Sequence, residues 1–278
     1  MSTATLNLKK FDMSKLKQDA VVVFIGKRNT GKSFLVRDML YYKRDFPCGV
    51  VISGTECANG FYGKLMPNIF IHDDFKPEII ERLIMRQKTY VEKMTEQEAQ
   101  LGRTNIDPRA FLILDDLMYD ATWIKDMNIR RLFMNGRHHK LLYVITMQYC
   151  LGITPTLRTN VDYVFILREP NIGNRKRLFE QYAGIFKTFE MFCQVMDQCT
   201  ENYECLVIDN TSRSNNIEDM VFWYKADDHP DFKIGSSVYW EYHNKHYQRR
   251  SAASSAEVNI NEVGNSRRRG PAITVRKS

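Results

Sequence analysis

The chain has 278 residues, 44% of them hydrophobic and 26% charged, which suits one large α/β domain or two small ones. It holds no run of about 18 apolar residues, and its first residues lack an apolar signal core, so neither a membrane helix nor a secretory leader is expected. The net charge is +7, but residues 248–278 carry Arg249, Arg250, Arg267, Arg268, Arg269, Arg276 and Lys277 against Glu257 and Glu262 only. The basic balance therefore belongs mostly to the tail and does not by itself argue for a DNA-binding fold.

In chain order, residues 1–19 mix polar and apolar types without a period and are expected to form an N-terminal arm, ordered on contact or frayed. Residues 20–25 (AVVVFI) read as a buried strand, followed by a glycine-rich loop and a helix over 32–42. Residues 49–53 (GVVIS) read as a second strand, 54–68 as a long loop and 68–72 (NIFIH) as a short third strand. The stretch 76–101 has apolar residues at helical spacing and reads as an amphipathic helix covering the sheet.

Residues 110–114 (AFLIL) form an unbroken apolar run ending in Asp115 and Asp116, the pattern of a strand buried on both faces of a parallel sheet. A helix over 124–137 and a strand over 141–147 (LLYVITM), ended by Gln148, come next. A strand over 161–167 and helices over 171–183 and 187–198 lead to a late strand at 203–209. Residues 220–225 and 237–242 are aromatic and read as extended edge strands or a terminal hairpin. From 248 onward the composition cannot bury enough surface to fold, which predicts a disordered basic tail. The organisation expected is thus an arm (1–19), a catalytic domain (20–247) and a tail (248–278). The six cysteines form no C-x-x-C pair and are expected as buried free thiols in a reducing compartment.

The stretch GKRNTGKS, from Gly26 to Ser33, fits G-x-x-x-x-G-K-[ST] in the strand–loop–helix setting the motif requires. Gly26, Lys27, Arg28, Asn29, Thr30 and Gly31 supply a loop whose backbone N–H groups can approach phosphate oxygens, at the positive end of the following helix. Lys32 is the residue expected to reach the β- and γ-phosphates of ATP, and Ser33 to ligate Mg²⁺. Asp115, at the end of an apolar strand, suits the second-motif acid that holds Mg²⁺, directly or through water. Asp116 suits the carboxylate that orients or deprotonates an attacking water, although paired acids also cap helices. A strand ending in Gln148 fits the additional-strand (ASCE, RecA-like) class of P-loop NTPase, in which such a residue senses the γ-phosphate. Arg137, Arg158 and Arg168 are candidates for the arginine that stabilises phosphoryl transfer, with Arg137 and Arg158 preferred. His138 and His139 do not share a helix face and are not read as metal ligands.

GKRNTGKS, ISGTE…FYGK, FLILDD, NGRHHK, TMQY and TPTLRTNVDYVFILRE occur in one order. Over roughly residues 20–225 this resembles the genome-packaging ATPases of large double-stranded DNA viruses. These form the poxvirus-type packaging family within the FtsK–HerA superfamily. The resemblance implies an oligomeric ring that hydrolyses ATP and translocates duplex DNA into a capsid, gripping the phosphate backbone in a sequence-independent way. It implies catalytic roles for Lys32, Asp115, Asp116 and Gln148, with a capsid or membrane protein as docking partner. The location implied is the infected-cell cytoplasm or viral factory, or the virion. Cellular members usually carry Glu where Asp116 stands, one methylene longer. Two other readings remain open at this point: a nucleotide-binding assembly protein and a small-molecule P-loop kinase.

Overall fold

The computed structural model describes residues 6–117 and 122–247, so the tail expected at 248–278 lies outside the described residues. The strands are β1 (Lys9–Lys10), β2 (Val21–Ile25), β3 (Gly49–Ser53), β4 (Ile71–His72), β5 (Ala110–Asp115), β6 (Leu141–Met147), β7 (Tyr163–Ile166), β8 (Glu204–Asp209) and β9 (Val221–Lys225). They form one sheet in the order β1-β9-β8-β7-β2-β6-β5-β3-β4. From β7 to β4 every pairing is parallel; only β7–β8 and β8–β9 are antiparallel, and β1 joins β9 in parallel. The expected α/β fold with a mostly parallel sheet is therefore present. The additional strand, β6, lies between the phosphate-loop strand β2 and the acidic strand β5.

The helices are α1 (Lys32–Tyr42), α2 (Glu56–Asn59), α3 (Pro77–Leu101), α4 (Met127–Asn135), α5 (Pro155–Arg158), α6 (Ile172–Tyr182), α7 (Phe189–Cys199) and α8 (Ser237–His246). Local chemistry sets their ends. Pro77 opens α3, where its missing N–H costs nothing, and Gly102 in the left-handed region closes it. Asp126 caps α4 by accepting from the N–H groups of Asn128 and Ile129. Asn171 and Thr188 cap α6 and α7 in the same way.

Alternation along the strands divides the core between the two faces of the sheet. Val21, Val23 and Ile25 face one layer, with Ile80 and Leu83 of α3, Leu132 of α4, Leu178 of α6 and Phe192 of α7. Val22 and Phe24 face the other, with Leu35 and Met39 of α1 and Tyr239 of α8. All of β2 and β6 is buried, as their continuous apolar runs require.

Two segments differ from the sequence reading, and a third decides between its alternatives: residues 9–16 follow the arm ordered on contact, not the frayed one. Lys9–Lys10 extends the sheet, and Phe11, Met13 and Leu16 are buried against the α1 face. The described residues up to His246 accordingly form one compact unit. The strand expected at 68–72 shrinks to Ile71–His72 because Asn68–Phe70 forms a tight 3-10 turn. Residues 237–242 are helical, not extended. Ser236 receives the N–H of Tyr239 on its hydroxyl at 3.3 Å and that of Trp240 on its carbonyl at 3.3 Å, which starts α8. Stacking of Tyr239 on Phe70, at 4.3 Å between centroids, then overrides the strand preference of an aromatic run.

Phe11 gives the clearest test of the arm. Its ring lies 5.6–5.7 Å from those of Phe165, Tyr163 and Phe222, all edge-on. Phe11→Ala is expected to cost about 3–5 kcal/mol of unfolding free energy, read as a fall in the urea midpoint, because it leaves a cavity in an aromatic cluster. A change within about 0.5 kcal/mol would show that the arm contributes little to the fold.

Candidate active site

Parallel pairing brings the carboxyl ends of the central strands to one edge of the sheet. There Ser53 of β3 is in register with Asp115 of β5, and Asp115 with Thr146 of β6. Asp115 accepts the Ser53 hydroxyl at 2.9 Å on one oxygen and the Thr146 hydroxyl at 2.5 Å on the other. The fully buried Tyr62 also hydrogen-bonds to Asp115; burial first, then the Asp115 and Glu56 carboxylates, push its hydroxyl well above the ordinary range. Three donors leave one of the roughly four lone-pair sites of the Asp115 carboxylate open, so a hard cation could still be held there.

Asp116 follows in the left-handed region, at φ 53°. Its N–H approaches both the carbonyl and the hydroxyl oxygen of Thr146 at 3.2 Å. Its carboxylate accepts from the Gln148 side-chain amide. The cap of α4 is Asp126, which accepts from the N–H groups of Asn128 and Ile129. The amide N–H of Gly26 donates to the carbonyl of Met147 at 3.0 Å, which places Gln148 beside the start of the phosphate loop.

The loop turns on two glycines. A β-carbon on Gly26 would lie 2.7 Å from the Thr30 hydroxyl oxygen and 2.8 Å from the Leu167 β-carbon, so no side chain fits. Gly31 has φ +101°, open to glycine and strained for other residues. Thr30 donates its hydroxyl to the Lys27 carbonyl at 2.7 Å and braces the loop. The Lys27 ammonium lies 2.8 Å from Glu169, a buried carboxylate just beyond β7. Lys32 donates to the Gly26 carbonyl at 2.6 Å. Burial lowers the Lys32 pKa from its usual value, and the Asp116 and Asp115 carboxylates oppose that shift.

Lys27, Arg28, Asn29, Gly31, Lys32, Ser33, Asp115, Asp116 and Gln148 all line one open cleft of about 590 Å³. The structure thus brings together the phosphate loop, both acids and the glutamine that the sequence singled out. A larger groove of about 1020 Å³ runs along the outer side of α1. It shares Ser33, Phe34 and Phe61 with the cleft but contains neither Lys32 nor the acid pair, so the chemistry belongs to the smaller one.

The two preferred arginines do not enter this cleft in their own chain. Arg137 binds Asp162, whose other oxygen accepts the N–H of Val21 at the amino end of β2, the opposite edge of the sheet. Arg158 donates to the Ile153 carbonyl at 3.1 Å and lies over the Tyr182 ring.

Across 248 residues the chain is 40% identical to an uncharacterized protein of Acanthamoeba polyphaga mimivirus, covering 89% of this chain and 86% of that relative. It is 41% identical over 230 residues to an uncharacterized protein of Invertebrate iridescent virus 6, covering 81% of this chain and 85% of the relative. The chain belongs to this family of viral proteins. No family model matches it. Among solved structures, it is similar to the genome packaging NTPase of Sulfolobus turreted icosahedral virus 2. The complex with ATP-gammaS aligns with TM-score 0.51 and 14% identity over 77% of this chain and 100% of the other. The complex with AMPPCP gives 0.50 and 15% over 76% and 100%. The chain thus shares the fold of that genome packaging NTPase, the fold the sequence resemblance implied.

Sequence reasoning did not reach Ser53, Tyr62, Thr146 or Glu169. Ser53 and Thr146 carry a weak signal, since each is a polar residue at or near the end of an apolar strand, as Asp115 is. None of the six cysteines forms a disulfide; Cys150, Cys199 and Cys205 are buried, whereas Cys57 is exposed, contrary to the expectation of burial throughout. Among the described residues no helix is long and apolar enough to cross a membrane.

Proposed function

We propose that this chain is an ATP-driven motor that moves double-stranded viral DNA into a capsid. The observation that carries the reading is the convergence of Lys32, Asp115, Asp116 and Gln148 in one cleft, on the fold of a viral genome packaging NTPase. The backbone from Gly26 to Ser33 cradles the phosphates of ATP, and Lys32 leaves the Gly26 carbonyl for the β- and γ-oxygens. Asp116 accepts a proton from a water that Gln148 helps to orient. The water oxygen bonds to the γ-phosphorus as the bond to the β–γ bridging oxygen breaks, giving ADP and phosphate.

Ser33 and Asp115 suit Mg²⁺, because both present oxygen donors to the same cleft. Held by these residues, the ion would neutralise charge on the phosphate oxygens. Arg137 and Arg158 serve a neighbouring subunit of a homo-oligomeric ring, since neither lines its own cleft. The ring holds duplex DNA by its backbone and docks on a capsid or membrane protein. It works in the infected-cell cytoplasm or viral factory, or in the virion.

Steady-state ATP hydrolysis with and without long duplex DNA tests this. Turnover is expected to rise several-fold with duplex. The DNA concentration needed is expected to climb steeply between about 50 and 200 mM salt, as phosphate contacts are lost to counterions. Turnover indifferent to duplex would overturn the motor and leave a nucleotide-binding assembly protein or a kinase.

A further inference from the structure

The connection from α7 to β8 reaches the cleft in an unusual conformation. The N–H of Glu204 donates to the carbonyl of Glu201 at 2.8 Å. Between them Asn202 has φ 50° and Tyr203 φ 65°, so both central residues are left-handed. An i to i+3 hydrogen bond with two positive φ angles is the pattern of a type I′ turn, whose preferred sequence is Asn-Gly. Asn202 suits the first position. Tyr203 stands where glycine is the default, and a bulky side chain there carries backbone strain.

The core does not account for this tyrosine. Tyr203 is 68% exposed. Its ring instead lies on the phosphate loop, with Cδ1 3.5 Å and Cβ 3.7 Å from the point where a β-carbon on Gly31 would sit. It lines the cleft together with Gly31, Lys32, Ser33 and Phe34.

The sheet order says which end of a nucleotide would meet it. Asp115, Asp116 and Gln148, which face the terminal phosphate, lie on the β6 and β5 side of β2. Tyr203 lies on the other side. Because β8 runs antiparallel to β7, pairing Leu206 with Ile166, its start comes to the carboxyl edge beside the loop. A triphosphate anchored at Lys32 with its γ end toward the acids therefore directs its nucleoside end toward Tyr203. We propose that Tyr203 is the platform on which the base of the bound nucleotide stacks. This rests on the reading of the cleft as a nucleotide site and adds the residue that holds the base.

The test compares ATP with inorganic tripolyphosphate, which has the phosphates and no base, by calorimetric titration of the full chain. Tyr203→Gly is expected to weaken ATP about tenfold and to leave tripolyphosphate unchanged, given the usual worth of base–aromatic stacking. Tyr203→Phe keeps the ring and is expected to keep ATP affinity. The melting temperature of Tyr203→Gly is expected to hold or rise, because glycine relaxes the turn, so a loss of affinity cannot be put down to unfolding. Unchanged ATP affinity in Tyr203→Gly would overturn the proposal. So would parallel loss of both probes, which would make Tyr203 a prop for the loop. Wild-type protein that binds tripolyphosphate as tightly as ATP would overturn the base platform while leaving the phosphate site. Wild-type protein that binds neither would remove the nucleotide reading, and this proposal with it.

Discussion

Asp116→Asn is expected to lower ATP turnover by about 10²–10⁴-fold, the usual contribution of a positioned general base, while ATP still binds. The geometry separates the two acids. Both oxygens of Asp115 accept hydroxyl donors, from Ser53 and Thr146, and Tyr62 adds a third, which together hold the carboxylate still and leave a site open. Such a group suits a fixed ligand. Asp116 is held by its backbone, through the N–H contacts to Thr146, and its side chain meets only the Gln148 amide among the described hydrogen bonds. That carboxylate can exchange the amide for a water. Asparagine has nearly the same shape and can still accept from Gln148, but its amide cannot take a proton at neutral pH. Steady-state turnover measured beside ATP affinity distinguishes base from ligand: a base variant loses turnover at near-normal affinity. If Asp116→Asn retained full turnover, the base would have to be another group in the cleft.

GKRNTGKS is contiguous, so strand, turn, lysine and serine are legible together; the fold adds only that Gly26 is packed against Thr30 and Leu167. Asp115 and Asp116 are legible because an apolar run ends on them. Their supporting hydroxyls are not, since Ser53 is 62 residues away from Asp115 and Thr146 is 31. Those contacts exist only because β5 pairs with β3 on one side and β6 on the other, and long-range strand order is not written in local periodicity. Residues 9–16 were opaque for a related reason. Lys9–Lys10 alone has no strand signal, and the segment is fixed by pairing with β9, more than 200 residues later. Arg137 carries a local cue of the opposite kind. Its place in NGRHHK stands out in the sequence, but the buried partner that holds it, Asp162, comes from another segment.

Lys32→Ala is expected to weaken ATP binding and to lower turnover by a further 10²–10³-fold or so, the cost of removing one preorganised donor from a phosphoryl-transfer site. Two facts set the sign. The ammonium sits where burial disfavours its charge, and its hydrogen bond to the Gly26 carbonyl offsets little of that cost, so bound phosphate is the better partner. Asp115 and Asp116 face the same space, and without Lys32 they meet an incoming triphosphate with uncompensated negative charge. The fold should not suffer. Alanine is a good helix former at the first position of α1 and removes a partly buried charge, so the melting temperature without nucleotide is expected to stay level or rise slightly. Thermal melts with and without ATP, run beside the hydrolysis assay, read both halves. Wild-type protein gains stability with ATP through mass action and the variant does not. A variant that keeps both the ATP-dependent gain and normal turnover would show that phosphate is held elsewhere, and the cleft at the carboxyl edge of β2 would lose its claim to the chemistry.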